Sequence, residues 1–556
     1  MYKIIYKVII FIIFLSVSLI AQNDTLTTAF KNNPSNRDFQ TNGPTPIRLW
    51  SVPEMNGIYA CMMYQGTMGR GLRWNFFNFS TMTWVADTDG YEPGIPGGYG
   101  GMCVNYTSNF QYFPFFTAHN DTANYSPDIW YPDTPFDPNN FNGDYVVIPG
   151  PDSVAPWPLI GITSNGYLHL IATDYDSNYE ILYSRCDFTN PVWDSLIHIV
   201  QTGDAPFYAL YADPFGNTVV VTYCRSSSDN HIIMLIDTLA GDMFYAGNPI
   251  TVDLDTLAEN CVPLPNPTGF VGDGNPFVDR DRNIHYITFC SDGTNTIPVY
   301  VVHVFYNPRA ETASCTIIDS VVDYYYLISI NSLGAGRSQI GQVRENGHLY
   351  AVWEEFIQEP GRFVVSSTDD TLAPTRIKLA WSFNNGLTWN IDTLLESDNF
   401  WDNNEWLRFP VISPVLDSLY GYDRVIWGVY LDDDPGFVWQ GQGDVSEVDM
   451  LVGIKYVYAG IEEFRKPVKN SRFSVSLNPA KNIVKFYYEL PRKSHINIKV
   501  FDLSGRLIKK LDEGIRQKGF YTKVWNLKKD KIKSGIYFCT FENNTEKITR
   551  KLIITR

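Results

Sequence analysis

The sequence predicts an all-β protein, and three observations carry that expectation. Short alternating apolar runs bounded by Gly, Asn, Asp and Pro dominate the 556 residues. Aromatic residues make up 15% of the chain and are spread along it, while long stretches of helical period are absent. One strand-and-turn pattern also returns through residues 45–460, so the bulk of the chain is a repeat body rather than a string of unlike domains.

The chain opens with Lys3 and Lys7, an apolar run from Val8 to Ile20, and then Ala21 before a polar stretch. A short positive segment, an apolar core too short to span comfortably and a small residue predict a secretory signal peptide over 1–21, cleaved after Ala21. No cysteine follows the cleavage point and no later run is apolar enough to cross a bilayer, so no membrane span is expected after signal removal. Residues 22–44 form a lead segment.

The repeat runs as a small polar turn, an alternating strand and a polar end. Its copies are TSNGYLHLIATD (163–174), DPFGNTVVVTYC (213–224), DRDRNIHYITFC (279–290) and RENGHLYAVWEE (344–355). Looser copies are YDRVIWGVYLDD (422–433) and CVNYTSNFQYFPFFTA (103–118). Asn165-Gly166, Gly216-Asn217 and Asn346-Gly347 suit tight reversals that need positive φ. A second strand follows each copy, such as NHIIMLID (230–237) or TRIKLAWSF (375–383), and an outer segment usually follows that. Three or four antiparallel strands per unit predict a six- or seven-bladed β-propeller-like body over 45–460, since ring closure removes exposed sheet edges. A series of β-sandwiches is the alternative architecture.

Charge marks the end of that body. The chain carries −17, residues 461–556 carry +14, and residues 1–460 therefore carry −31. A body this acidic repels phosphate, which argues against nucleic acid as its partner. Residues 461–472 read as a linker. The eight cysteines lack any paired CxxC, so a zinc site is not expected, and Cys224 and Cys290 at the ends of like strands read as buried apolar thiols.

One hairpin has a specific signal. Ser382-Phe383-Asn384-Asn385-Gly386-Leu387-Thr388-Trp389 resembles the Asp-box of sialidase-like propellers, with Asn384 where that family usually has Asp. The resemblance implies a structural role for Ser382, Asn384, Gly386, Thr388 and Trp389, remote from any catalytic centre. SRCDFTNPVW (184–193) and NFFNFSTMTW (75–84) are weaker relatives.

A sialidase-like site would need three arginines gripping a carboxylate, a Tyr/Glu pair and an acid/base Asp. Arg48, Arg73, Arg280, Arg282, Arg337, Arg344, Arg408 and Arg424 are available, but none sits in a recognisable catalytic motif. Asp432-Asp433-Asp434 and the loop 131–145, with Asp133, Asp137, Asn139, Asn140, Asn142 and Asp144, lack the closing Glu of a calcium loop. Asp279 and Asp281 occupy a repeated turn position, and His169 and His285 match within the repeat, which points to packing. The aromatic pairs Trp130-Tyr131 and Phe400-Trp401 are candidates for a binding rim, with filling between sheets the simpler role. No metal ligand set, cofactor motif or catalytic residue is assigned.

Residues 473–556 hold six or seven short strands, which predicts an immunoglobulin-like β-sandwich. Asn478-Pro479, Glu489-Leu490-Pro491, Asp502-Leu503-Ser504-Gly505-Arg506, Trp525, Ser534-Gly535-Ile536-Tyr537 and Lys551-Leu552-Ile553 follow in order. In that order they resemble the type IX secretion C-terminal sorting domain (type A). The resemblance implies type IX-like secretion machinery as a partner and a secreted or cell-surface product, with Asn478, Pro479, Gly505, Arg506, Gly535, Tyr537 and Lys551 as motif residues.

The leading expectation for the body is a propeller that binds a glycan or a protein. The alternatives are a sialidase-like glycoside hydrolase and a passive surface-layer component. Three convergent arginines at the narrow central mouth, where the innermost strands begin, would overturn the binding-only reading, and a mouth lined by Asn, Ser and aliphatic side chains would overturn the enzyme.

Overall fold

Each copy of the repeated motif forms a strand, and in every case it is the second strand of a small antiparallel sheet. The motif's polar turn is the hairpin that brings in this strand from the first one. A computed structural model describes residues 24–555 except 32–43, 67–68, 87–96, 108–110, 121–126, 133–134, 136–144, 148–155, 175–178, 188–191, 201–206, 225–231, 260, 263–267, 272–273, 292–298, 322–334, 358–362, 369–370, 398–405, 420, 435–446, 459–471, 477–479, 481–482, 491–492, 504, 517–518, 531 and 544–546. The expected signal peptide with Ala21, nearly all of the loop 133–144, Phe400-Trp401 and Asn478-Pro479 lie outside the described residues. The described chain divides into two compact units, 1–458 and 459–556.

The first unit is nearly all β. Seven successive sets of antiparallel strands, called sheets below, cover residues 49–84, 97–147, 159–200, 208–253, 268–321, 335–396 and 406–458; the last two are joined into one nine-stranded sheet by the parallel pairing of Gln342 and Val343 with Val415 and Leu416, and Val364–Val365 pairs apart with Thr371–Leu372. Within each, successive strands pair with their neighbours, so the hairpins joining first to second and third to fourth strands share one end. The first strands begin at the opposite, entry end. In the fifth sheet the first strand is broken into Thr268–Val271 and Phe277–Val278, both paired with Ile284–Ser291. In the seventh, Trp406–Ile412 and Val415–Leu419 both pair with Tyr422–Asp432.

The seventh sheet takes its outermost strand from the start of the chain. Thr25–Phe30, inside the stretch set apart above as a lead segment, pairs antiparallel with Val448–Tyr458, Thr25 opposite Ile454 and Phe30 opposite Met450. The sequence offers a reason, since Ala29 and Phe30 are fully buried in the core that the sixth and seventh sheets share. The strand also touches the first sheet: Asn75 Nδ2 donates to Ala29 O at 3.4 Å and Trp84 Nε1 to Thr27 Oγ1 at 3.3 Å.

Each sheet meets the next. Met102 N donates to Ile47 O at 2.8 Å, Trp157 N to His119 Nδ1 at 3.4 Å and Ser164 N to Gly216 O at 2.8 Å. Tyr211 packs on Phe277 at 5.2 Å between ring centroids. Asn275 N donates to Ser338 O at 3.1 Å, Gln342 N to Pro414 O at 3.1 Å, and Ser51 N to Ser413 Oγ at 2.7 Å. The last of these returns from the seventh sheet to the first. A propeller-like arrangement is consistent with this order.

Cys261 and Cys315 form a disulfide in the fifth sheet's neighbourhood, with Cα atoms 5.9 Å apart. Cys61, Cys103, Cys186, Cys224, Cys290 and Cys539 are buried. No helix among the described residues is long and apolar enough to cross a membrane.

The second unit holds a three-stranded sheet of Arg472–Ser476, Ile483–Leu490 and Gly519–Asn526. A four-stranded sheet of Leu507–Arg516, Ser494–Asp502, Gly535–Glu542 and Lys547–Ile554 shares its core, with Phe486, Trp525, Ile498 and Phe541 buried between them. Two sheets around one core is the β-sandwich plan.

Candidate functional site

Three of the arginines that show no motif in sequence meet at the entry end. Arg48 precedes the first strand of the first sheet, Arg337 is third in Ala335–Val343, and Arg408 is third in Trp406–Ile412. All three are at most 1% exposed. Irregular backbone turns the last two inward: pairing shifts register between Gly336 and Gln339 and between Arg408 and Val411, with φ of +56° at Arg337 and +54° at Phe409. An extra residue in an edge-proximal strand re-aims its side chain in this way.

Glu354, from the second strand of the sixth sheet, sits among them. Its Oε1 accepts from Arg337 Nε and from the second terminal nitrogen of Arg408, and its Oε2 from Arg408 Nε and Phe409 N, each at 3.0 Å. Burial alone would push this carboxyl up, but Arg408 and Arg337 outweigh it and hold it below the ordinary glutamate value. Arg48 donates to Gly100 O at 3.1 Å and to Tyr430 Oη at 3.2 Å. Burial raises the Tyr430 phenol, with Arg48 opposing it. Phe409 joins the two halves, 4.5 Å below the Arg337 guanidinium and 6.2 Å from the Tyr430 ring.

The chain's own backbone runs through the same region. Thr45 O accepts from Asn275 Nδ2 at 2.6 Å and Gln339 Nε2 at 2.7 Å, groups of the fifth and sixth sheets. Ile47 O binds the second sheet through Met102 N. Residues 44–46 are buried where they do so. Chemically the site contains what a carboxylate grip requires, yet the carboxylate it grips is Glu354.

The hairpin Ser382–Trp389 is closed by its own side chains. Ser382 Oγ accepts from Gly386 N at 2.8 Å, Asn384 Oδ1 from Thr388 N at 3.0 Å, and Trp389 Nε1 donates to Gly386 O at 3.1 Å. Asn384 Nδ2 adds a bond to Thr388 Oγ1 at 2.8 Å, in which an Asp at this position would accept from the hydroxyl instead of donating to it. Asn78, Asp237 and Asn307 accept from backbone N–H groups in the matching hairpins of the first, fourth and fifth sheets. Gly386 has φ of +80°, and a Cβ there would lie 2.1 Å from the His303 ring. Gly386→Ala is therefore expected to cost about 2 kcal/mol or more in urea unfolding.

His303 ends a buried chain. Asp279 Oδ2 lies 3.1 Å from His285 Nε2, and His285 Nδ1 lies 3.0 Å from His303 Nε2. Burial holds the His303 imidazole well below its ordinary value. His169 bonds Thr163 and Tyr183, each at 2.8 Å, and burial lowers it to about 3. These histidines and Asp279 are structural in their contacts. Asp281 is exposed. Asp432 is buried, and Asp434 accepts from Ser367 N at 2.8 Å. No group of three metal-ligating side chains occurs among the described residues. Trp130 is buried in the core of the first three sheets, with Tyr131 packed at its margin.

In the second unit Gly505, at φ +81°, closes the turn in which Asp502 Oδ1 accepts from Arg506 N at 3.0 Å. Gly535 opens the strand Gly535–Glu542, Tyr537 Oη donates to Lys533 O at 2.8 Å, and Lys551 is exposed on the last strand.

Residues 478–555 match the family described as the secretion system C-terminal sorting domain. Sorting domains of this kind mark proteins for export by the type IX system, and the protein is accordingly exported to the cell surface or the extracellular space. No curated protein matches the chain. Among solved structures it is similar to a PL25 ulvan lyase, with 11% identity over 78% of this chain and 96% of that one and a TM-score of 0.46. It is similar also to the polysaccharide lyase Uly1, with 10% identity over 78% and 99% and a TM-score of 0.42. A Hadza microbial sialidase, Hz136, gives 10% identity over 62% and 74% and a TM-score of 0.27. Likeness at this level carries nothing about site or substrate.

Proposed function

We propose that the first unit is a closed seven-bladed β-propeller that acts outside the cell by binding a glycan or a protein, and that the second is an immunoglobulin-like sorting module. The contacts from each sheet to the next, including that from the seventh back to the first, support the ring. The strand Thr25–Phe30 is its clasp, and the Ser382–Trp389 hairpin is an Asp-box with Asn in the acidic position.

One observation carries the binding reading. Arg337 and Arg408 are spent on Glu354, and Arg48 on Gly100 O and Tyr430, all without solvent exposure. A substrate carboxylate has no route to guanidiniums that are already engaged and covered. Their convergence, with Tyr430 and Glu354 alongside, favours the second reading, a sialidase-like hydrolase. The two separate on assay of the full-length protein with fluorogenic sialosides and other aryl glycosides. Binding alone predicts no turnover. Turnover that Tyr430→Phe abolishes at unchanged melting temperature would establish the hydrolase.

A further inference from the structure

In the four-stranded sheet of the second unit, Ile498, Val500, Tyr537, Cys539, Phe541 and Leu552 belong to the buried core. Alternation sends the residues between them to the sheet's outer face. One end of that face is apolar. Phe501 pairs with Leu507 on one side and with Phe538 on the other, and Ile536 pairs with Ile553 in the row beyond. Leu503 follows in the turn that leaves the strand Ser494–Asp502. Leu503 is 69% exposed, Leu507 50% and Phe538 37%. Two other large apolar side chains are exposed among the unit's described residues, and they stand elsewhere. Ile515 is opposite His495, six residues or about 20 Å along the sheet from Phe501, and Val524 is on the three-stranded sheet.

Beside the apolar rows the charge is positive. Lys551 pairs with Phe538, and in the next row Lys499 stands between Lys510 and Thr540. Carboxylates come one row further on, Glu513 in an ion pair with Lys510 and Glu542 in one with Lys547. The Asp502 carboxylate is held by Arg506, whose Nε donates to Oδ2 at 3.1 Å.

The residues that carry the likeness to the sorting family gather at this same end. Gly505 and Arg506 shape the turn between Leu503 and Leu507, Gly535 opens the strand of Ile536 and Phe538, and Lys551 flanks Phe538. All four are exposed, so the module's core does not need them. Gly535 is the sharpest case. Its φ is not in the left-handed region, and a Cβ there would meet nothing nearer than 3.7 Å. Neither backbone nor packing within the module asks for glycine, whereas the close approach of another chain does.

Building on the sorting assignment above, we propose that the export machinery grips the module on this end of the outer face. A protein of that machinery receives Leu503, Leu507 and Phe538 in an apolar hollow and meets Lys499 and Lys551 with carboxylates. An apolar centre beside a charged rim is the anatomy of a protein interface. Residues 461–556 carry +14, so an acidic partner is drawn to the module and a second copy of it is repelled.

The test is export of the full-length protein in a host with a type IX system, read by fractionation and immunoblotting, with the melting temperature of each purified variant. The triple variant Leu503→Ser, Leu507→Ser, Phe538→Ser should cut the exported fraction tenfold or more at unchanged melting temperature. The pair Ile515→Ser, Val524→Ser removes equally exposed apolar groups and should export normally; an equal loss there would overturn the assignment of the face. Lys499→Glu with Lys551→Glu should also block export, and Arg at both positions should keep it. Normal export of the charge-reversed variant would overturn the acidic partner. If the triple variant exports like the parent while deletion of 473–556 does not, the face is not the grip and the sorting assignment stands. If both export like the parent, both fall. Flotation with phosphatidylglycerol vesicles and sedimentation velocity test the other occupants. Vesicle binding or self-association of the parent that the triple variant abolishes would give the face to a lipid surface or a second copy and overturn the proposal.

Discussion

Deleting residues 473–556 is expected to reduce the exported fraction of the protein at least tenfold in a host with a type IX system. The body should accumulate in the periplasm, detected by fractionation and immunoblotting with an antibody to residues 45–458. The physical basis is the independence of the two units. The second unit has its own core, built from Phe486, Ile498, Trp525 and Phe541 and closed by its own two sheets. The first unit takes all seven of its sheets from residues 25–458. Removing the module therefore subtracts the address without subtracting any strand of the cargo. Two controls sharpen the result. The melting temperature of the truncated body should match that of the body in the full chain, and residues 473–556 fused to a periplasmic reporter should carry the reporter out. Equal amounts of truncated and full-length protein in the medium would overturn the assignment.

How far the sequence discloses such a molecule depends on the range of the interactions. The second strand was legible in six of the seven sheets, the first sheet's Gly57–Gly66 excepted, because its pattern is local: a polar turn, then alternation, as in TSNGYLHLIATD. The sorting module was legible because its glycine turns and strand ends recur in fixed order. The first strands were not. The fifth sheet's is broken into Thr268–Val271 and Phe277–Val278, and the sixth and seventh sheets' carry register shifts that disrupt alternation. Those same irregularities place Arg337 and Phe409, so the features that hide the strands also build the arginine cluster. A shared position was available as a signal, since Arg337 and Arg408 are each third in a first strand and Arg48 stands just ahead of one. Glu354 gave no signal, because its role is set by Arg337, 17 residues before it, and Arg408, 54 after. The pairing of Thr25–Phe30 with Val448–Tyr458 joins the two ends of the body, a distance over which no local pattern speaks.

Glu354→Ala is expected to be the most damaging single substitution in the body, costing about 3–5 kcal/mol in urea unfolding, the range for removing one partner of a buried charged group. The reason is what stays behind. Arg337 and Arg408 are both at most 1% exposed and both bond Glu354, Arg408 through two nitrogens, as does Phe409 N, so one truncation strips four donors of their acceptor. Glu354→Gln keeps the shape and tests charge alone; it should recover part of the loss through the amide oxygen and no more. The interaction also has a pH signature. Glu354 is held below the ordinary glutamate value, so its contribution is fully present above that value and is lost as pH falls through its folded-state value. Unfolding free energy measured from pH 7 down to pH 3 should therefore fall less steeply in Glu354→Gln than in the parent. The decisive comparison is the triple variant Glu354→Met, Arg337→Met, Arg408→Leu. If the cluster serves stability alone, the apolar triple should be at least as stable as the parent, since desolvation offsets most of what a buried ion group gains. If it instead fixes the geometry of the sixth sheet against the seventh, the triple should stay well below the parent even though no charge is left unpaired. A Glu354→Ala variant within about 1 kcal/mol of the parent would show that neither holds and that water or another group reaches the arginines.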